Sequence, residues 1–274
     1  MLQLKKIMTP EEKEKNLKRQ IARFKSVLIA LSGGTDSAYL SYIAAGTGPL
    51  SVLAVTIQTP YMHQHEIQDA QSFCLHHKIK HLVITLDMTD EMASNPEGRC
   101  YCCKKNLMER LQKVARDFNI QAIFDGTNAD DLNDYRPGMK ALDECGILSP
   151  LRDAEMTKED IRQCSRNAGL QTWNKPANAC LLTRFPHNKR IAIQDLRSLE
   201  QAEQFLDSLG FEGSRVRVHD KITRIELQPD HLNKPFPDEC RRKVVQKFKR
   251  LGYQYITLDL EGYRSGTMDQ ERLL

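Results

Sequence analysis

A short turn rich in serine and glycine is the segment of this sequence best suited to chemistry. Residues 32–37 read Ser-Gly-Gly-Thr-Asp-Ser and directly follow an apolar stretch at residues 27–31. The glycines let backbone N–H groups approach an anion, and a helix beginning near Asp36 would direct its positive end to the same place. The segment predicts a pyrophosphate-binding turn in which Asp36 also helps to hold Mg²⁺. The residues expected at the phosphates are Ser32, Gly33, Gly34, Asp36 and Ser37.

The spacing of residues within this turn limits which ligands it could bind. It lacks the lysine of a Walker A loop, and its glycines do not follow the Gly-x-Gly-x-x-Gly pattern of dinucleotide-binding turns. It resembles the PP-loop of enzymes that cleave ATP between the α- and β-phosphates and leave AMP on a substrate oxygen. The resemblance implies ATP and Mg²⁺ as cofactors. Serine, glycine and aspartate also cluster in ordinary turns, but a position between a buried strand and a helix favours phosphate binding.

The eight cysteines are the second set of reactive side chains. In a cytosolic protein, such cysteines are more often thiols, metal ligands or catalytic groups than disulfides. Cys180 has Lys175 before it and Arg184 after it, an electropositive setting that favours a thiolate nucleophile. The alternative is a small buried apolar role beside Leu181 and Leu182.

Three cysteines cluster at residues 100, 102 and 103. On a helix, Cys100 and Cys103 share a face, whereas Cys102 points elsewhere. If the fold brings Cys180 to them, three thiolates could hold a [4Fe–4S] cluster with one open iron. Zinc is the competing metal, but no fourth ligand is obvious. The simpler interpretation is a group of free cysteines at a helix start.

Hydrophobic periodicity predicts the elements that position these residues. Strands alternate with helices through the first half of the chain, which is typical of an α/β fold with a doubly wound parallel sheet. Ligands of such sheets bind beyond the carboxyl ends of the strands. The turn at residues 32–37, called the serine turn below, and Gly126 are both expected there. Asp130, Asp131 and Asp134 are either further Mg²⁺ ligands or capping residues. Strands are predicted at residues 27–31, 51–57, 81–87 and 122–128, and helices at 36–45, 64–79 and 100–118.

The pattern changes after the linker-like residues 171–178. We therefore place a PP-loop domain at residues 1–175 and a second, smaller α+β domain at 176–274. In one predicted strand of this domain Arg215 and Arg217 share a face. That face is either solvated or forms, with Arg184, a clamp for a phosphate. The predicted elements are helices at 193–209 and 238–251 and strands at 215–219, 223–227 and 253–260.

Composition limits the expected partners. The chain has 274 residues, with 40 Lys and Arg against 36 Asp and Glu, a net charge of +4. This excess is too small to indicate nucleic-acid binding by itself, and it suits a small anionic substrate equally well. The sequence has neither the long apolar run of a membrane span nor, in its charged first residues, the apolar stretch of a signal peptide. We expect a cytoplasmic protein without nucleic-acid or membrane partners.

Segments outside the serine turn make the resemblance more specific. Together they resemble the LarE family of ATP-dependent sacrificial sulfur transferases, in its cysteine-rich version. The resemblance extends from the first strand to at least Glu226 and predicts that the second domain binds substrate and transfers sulfur. The segments that carry it are residues 100–104, 125–131, 134–140, 149–150, 175–184 and 215–219.

The resemblance implies that the protein adenylates a carboxylate of pyridinium-3,5-biscarboxylic acid mononucleotide and converts it to a thiocarboxylate. This is a step towards the nickel-pincer nucleotide, the cofactor of lactate racemase. By the same resemblance Cys180 donates the sulfur and is consumed, unless a cluster on Cys100, Cys103 and Cys180 delivers it. The family also suggests a homo-oligomer. The substrate-binding residues implied are Arg184, Arg215, Arg217 and Glu226, and Lys104 is expected to reach a phosphate.

Two other functions fit part of the sequence. A PP-loop tRNA thiolase would account for the cysteines and the basic excess, although no appended basic, aromatic-rich RNA-binding module is evident. A regulatory protein that binds a nucleotide without reacting it would account for the turn alone. Turnover of ATP to pyrophosphate that depends on the pyridinium nucleotide would exclude the second alternative.

Overall fold

The computed structural model describes residues 8–133, 137–176, 178–232, 237–264 and 268. Asp134, one of the acidic residues considered for Mg²⁺, lies outside this part of the chain. The chain divides into two compact units. The first comprises residues 1–59, 64–86 and 98–178, and the second comprises residues 60–63, 87–97 and 179–274.

Helices and strands alternate in the first unit, and a small sheet with helices follows in the second. The helices are α1 Pro10–Ile21, α2 Thr35–Ala45, α3 Gln64–His76, α4 Asp90–Ala93, α5 Arg99–Asp117, α6 Pro137–Glu144, α7 Pro150–Asp153, α8 Lys158–Asn167, α9 Ile193–Ser208, α10 Pro229–Leu232 and α11 Asp238–Arg250. The strands are β1 Ser26–Ala30, β2 Ser51–Gln58, β3 Lys80–Thr85, β4 Ala122–Phe124, β5 Arg215–His219, β6 Ile222–Glu226 and β7 Tyr255–Leu258. Single 3₁₀ turns are Asp130–Asn133, Gln171–Asn174 and Leu181–Arg184.

The sheet of the first unit is parallel, with the strand order β3-β2-β1-β4. Successive side chains of β1 point to opposite faces, so Val27 and Ile29 join a core with α1, α2, α3 and α8, while Leu28 joins a core with α5. The predicted doubly wound α/β fold is confirmed. The strand order reverses between β1 and β4, and the crevice at such a reversal is where open α/β sheets bind ligands.

Several features of the first unit differ from the predicted elements, among them helices α6, α7 and α8, which were not predicted. Strand β4 ends at Phe124, four residues before its predicted end, and the Asp125 N–H that follows donates to the carbonyl of Leu148. Helix α1 was not among the predicted elements. It begins with a capping box at Thr9 and buries Leu17 and Ile21 despite its many charges.

The second unit is built on a mixed sheet of order β5-β6-β7, in which β5 and β6 are antiparallel and β6 and β7 parallel. Residues 60–63 and 87–97, from earlier in the chain, belong to this unit. Buried Asn95 shows why, since its side-chain amide donates to the carbonyls of Leu182, Phe185 and Pro186. One early side chain thereby fixes the backbone that follows Cys180.

Candidate active site

The serine turn joins β1 to α2 and is held by hydrogen bonds between its own residues. Gly33 has a φ of +79°, and a Cβ there would lie 2.6 Å from the carbonyl oxygen of Glu66, so this position requires glycine. The hydroxyls of Ser32 and Ser37 are 3.0 Å apart, and the Ser37 hydroxyl also accepts from the Ser32 N–H. Gly34 caps α2 without a side chain, which leaves the helix N-terminus open to an anion.

A second turn, after β4, meets this one. A Cβ on Gly126 would lie 2.9 Å from the backbone nitrogen of Ser37, closer than real Cβ atoms come. Only glycine allows this approach at the reversal of strand order between β1 and β4. The structure therefore brings together Gly126 and the predicted residues of the serine turn.

Asp36 forms an ion pair with Lys158, a residue that was not among the predicted site residues. Lys158 Nζ lies 2.7 Å from Asp36 Oδ1, and the Asn128 amide donates to Asp36 Oδ2 at 3.2 Å. Lys158 is the first residue of α8, and its N–H donates to Asp130. The available signal was the Thr157-x-x-Asp160 capping box, which places Lys158 at a helix start.

Two more lysines contact the same crevice. Lys104 Nζ lies 3.4 Å from Asp125 Oδ2, and Asp125 also accepts from Thr127 and Ser149. Lys175 Nζ donates to the Gly33 carbonyl at 3.0 Å and to Asp69 at 2.5 Å. The contacts of Lys175 thus lie at the serine turn.

The cysteine cluster lies in the first turn of α5. Cys100 is exposed, and Cys102 and Cys103 are partly exposed. Gly138 of α6 packs closely against α5, since a Cβ there would lie 3.2 Å from Lys104 Cδ. Cys100 and Cys103 belong to the first unit and Cys180 to the second. None of the eight cysteines, all within the described residues, forms a disulfide.

Cys180 immediately precedes the 3₁₀ turn Leu181–Arg184 and is partly exposed. Its carbonyl accepts from the Thr183 N–H, the Thr183 hydroxyl and Arg184 Nη1. The next N–H, that of Leu181, donates to the Tyr61 carbonyl at 2.9 Å. The backbone on both sides of the Cys180 thiol is therefore held by hydrogen bonds.

Arg184 lies in the interior of the second unit, paired with Glu203 of α9. Its Nε and Nη2 donate to the two carboxylate oxygens at 3.0 and 3.2 Å. Glu203 also accepts from the Val216 N–H. Burial raises the pKa of Glu203, but the charge and hydrogen bonds of Arg184, with help from Arg215 and the Val216 N–H, outweigh it and leave this pKa below its ordinary value.

The arginines of β5 are buried, not solvated. Arg217 Nε donates to Glu226 at 2.9 Å, and its Nη1 donates to the Thr183 carbonyl. Arg215 donates to the carbonyls of Gly213 and Ser214 and stacks on the ring of Tyr263. Burial and then the charge of Arg184 lower the pKa of Arg215, because positive groups accumulate here. The structure brings Arg217 and Glu226 into direct contact.

Comparisons with known proteins place this arrangement in a family. The NAD synthase family model matches residues 11–122, which contain the serine turn. An uncharacterized protein of Synechocystis is 38% identical over 95% of this chain and 98% of its own length. The pyridinium-3,5-bisthiocarboxylic acid mononucleotide synthase of Lactiplantibacillus plantarum is 35% identical over 89% of this chain and 88% of its own length. The chain belongs to the LarE family.

The LarE family assignment confirms the resemblance inferred from the sequence. The protein is an ATP-dependent enzyme with the PP-loop fold, and its role is sulfur transfer. An uncharacterized protein of Methanocaldococcus jannaschii, 34% identical over 97% of this chain and all of its own length, is a further relative of similar extent. Within the described residues, no helix of this LarE-family chain combines the length and apolar character that crossing a bilayer requires.

Proposed function

We propose that this enzyme adenylates a carboxylate of pyridinium-3,5-biscarboxylic acid mononucleotide and replaces the AMP with sulfur, giving a thiocarboxylate for the nickel-pincer nucleotide. The observation that supports this most is the contact between Gly126 and Ser37, which joins the two turns into one phosphate-binding crevice. The name of the relative from Lactiplantibacillus plantarum gives that enzyme's product, pyridinium-3,5-bisthiocarboxylic acid mononucleotide, and the biscarboxylic acid is the corresponding substrate before sulfur is added.

In the first half of the reaction, the protein positions the carboxylate and ATP and neutralises the charge of the phosphates. A carboxylate is a poor acyl donor, and attack of its oxygen on the α-phosphate of ATP gives an acyl-adenylate and releases pyrophosphate. The serine turn and the N-terminus of α2 would hold the departing pyrophosphate. Asp36 is a suitable Mg²⁺ ligand, because it is a partly exposed carboxylate beside this turn. Lys158, released from Asp36 when the ion binds, would then reach the phosphates.

The second half takes sulfur from Cys180. Its thiolate attacks the acyl carbon, a carbon–sulfur bond forms, and AMP leaves with the electron pair. Loss of the Cα proton of Cys180 to a base then breaks its Cβ–S bond. The electron pair departs with the thiocarboxylate, and dehydroalanine stays on the protein. The partial exposure of Cys180 suits this role.

Arg215 and Arg217 are the residues we propose for the substrate phosphate. Burial and neighbouring positive charge lower the pKa of Arg215, so an anion there would relieve repulsion. Glu226, which accepts from Arg217 and Arg224, would set the direction of the Arg217 guanidinium. In the first unit, Lys104 would contact a phosphate in place of Asp125.

A [4Fe–4S] cluster is the alternative sulfur source. Cys100 and Cys103 fit the chemistry of such a group, since both thiols are at least partly exposed on one turn of α5. Cys180 would be the third ligand. When bound, the cluster would supply a sulfide, and Cys180 would survive turnover.

Mass spectrometry of protein incubated with Mg-ATP and the pyridinium biscarboxylate nucleotide separates these routes. A loss of about 34 Da at Cys180, the mass of H₂S, is expected for the sacrificial route. An intact Cys180 with bound iron and sulfide and a thiolated product would support the cluster. The Cys180→Ala variant should keep nucleotide-dependent exchange between ATP and pyrophosphate but make no product, whereas Cys240→Ala, in the same unit, should make product normally.

Two outcomes would contradict the proposal. If exchange between ATP and pyrophosphate requires tRNA instead of the nucleotide, the enzyme is a tRNA thiolase. If no substrate supports exchange, the crevice binds a nucleotide without reacting it.

A further inference from the structure

We propose that Arg184 is a positioning residue for Cys180, held in place by Glu203, and that it does not bind the substrate phosphate. This assignment rests on the proposed role of Cys180 in sulfur transfer. It departs from the role that the family resemblance implies for Arg184.

The contacts of Arg184 are the first argument. Its side chain is 1% exposed, and its Nε and Nη2 are used by the Glu203 carboxylate. Its Nη1 donates to the carbonyls of Ala179 and Cys180 and to the Thr183 hydroxyl. A guanidinium has five N–H donors, so these acceptors take up most of its capacity. The side chain is also too buried to offer a phosphate an open surface.

The second argument is what Arg184 holds. The carbonyls of Ala179 and Cys180 lie directly before and after the Cα of Cys180, and Arg184 fixes both. The Leu181 N–H, the next group along the backbone, donates to the Tyr61 carbonyl. The thiol is thus carried on a rigid backbone while its residue stays partly exposed. Such restraint keeps a nucleophile oriented for attack, and a displacement of about 1 Å can cost about 100-fold in rate.

Glu203 supplies the third argument. Its carboxylate bonds Arg184 through two parallel hydrogen bonds and is anchored to β5 by the Val216 N–H. A carboxylate in this position neutralises the guanidinium and occupies two of its nitrogens. It also fixes the guanidinium plane, and with it the direction of Nη1. The pair therefore connects α9 and β5 to the backbone of Cys180.

Two variants separate positioning from phosphate binding. With Glu203→Gln, positioning predicts a 10- to 100-fold slower single-turnover sulfur transfer, a KM for the nucleotide within about twofold of wild type, and a changed rate of Cys180 alkylation by iodoacetamide without substrate. A phosphate-binding Arg184 predicts the opposite: a lower KM for Glu203→Gln, a higher KM for Arg184→Lys, and unchanged alkylation. Glu212→Gln, an exposed change in the same unit, is the control.

A double variant covers the case in which single changes fail to fold. Replacing a buried ion pair with apolar residues often preserves stability, so Arg184→Met with Glu203→Met should fold, as circular dichroism would show. If the pair only stabilises the unit, this variant recovers wild-type sulfur transfer, and positioning is wrong. If the pair positions Cys180, the variant folds and adenylates but transfers sulfur slowly.

The same measurements keep this inference distinct from the proposed function. If wild-type protein makes no thiolated product, the proposed function fails. Alkylation of Cys180 in substrate-free protein still reports whether Arg184 and Glu203 hold it. If neither Glu203→Gln nor the double variant changes the rate of Cys180 alkylation, the positioning role is wrong even if sulfur transfer occurs.

Discussion

In the first unit Lys158 meets Asp36 with the two side chains 31% and 19% exposed, whereas in the second unit Arg184 meets Glu203 with 1% and 5% exposed. Separating the partly exposed pair of Lys158 and Asp36 costs little free energy, because water screens both charges. The buried pair cannot lose one member without leaving a charge in the interior. The first arrangement suits residues that exchange partners when Mg-ATP arrives, and the second suits residues that hold a backbone.

The largest expected effect tests this contrast through stability. Arg184→Met should lower the free energy of unfolding by about 3–5 kcal/mol, since it leaves the Glu203 carboxylate buried alone. Lys158→Met should cost no more than about 1 kcal/mol. Urea denaturation followed by circular dichroism measures both. Equal losses would mean that the two pairs do not differ as described.

Gly126→Ala should reduce exchange between ATP and pyrophosphate by about 100-fold. The added methyl group would lie 2.9 Å from the Ser37 nitrogen and would push the two turns of the crevice apart. Gly46→Ala, at the other end of α2, is the matched control, because its Cβ meets only ordinary contacts. A Gly126→Ala enzyme with normal exchange would show that the crevice is not the ATP site.

Lys158→Met should raise the KM for ATP by about tenfold, the loss expected for one hydrogen bond to a charged group. Such a rise would show that Lys158 leaves Asp36 to contact ATP. If Lys158 only neutralised the charge of Asp36, its loss would leave the affinity for ATP unchanged or stronger. Steady-state exchange at several ATP concentrations gives the value. Lys80→Met, at the exposed start of β3, serves as the control.

The smallest effect concerns pH. Because the pKa of Glu203 lies below its ordinary value in the folded protein, its contribution to stability is complete above pH 4.5 and is lost as the pH falls through the folded pKa. The difference in unfolding free energy between wild type and Glu203→Gln should therefore shrink as the pH falls below 4.5. Denaturation curves at pH 3 to 7 measure it, and a difference that grows on acidification would contradict the pairing.

Local sequence was sufficient for the sheet and for the serine turn. Alternating strands and helices predict the parallel sheet, and glycines at 33, 34 and 126 follow the strands that order it. Most of the elements that were predicted also fall close to their expected positions; for example, β5 spans Arg215–His219 as predicted. These features depend on side-chain period and turn chemistry, which neighbouring residues determine.

Contacts between distant residues could not be predicted this way. Lys158 lies 122 residues from Asp36, and no periodicity relates them. The alternating arginines of β5 fitted either a solvated face or a phosphate clamp, because a two-residue period does not tell which face is covered. Both faces prove to be buried, and the partner of Arg184, Glu203, lies on another helix.

The origin of residues 60–63 and 87–97 has a consequence for dissecting this protein. Because these two segments belong to the second unit, the chain enters that unit three separate times. A fragment beginning at residue 179 would lack Tyr61 and Asn95, and with them the hydrogen bonds to Leu181, Leu182, Phe185 and Pro186. The unit that contains Cys180 is therefore not an autonomous module that gene fusion could append to another PP-loop enzyme. Transplanting it would require grafting both early segments as well.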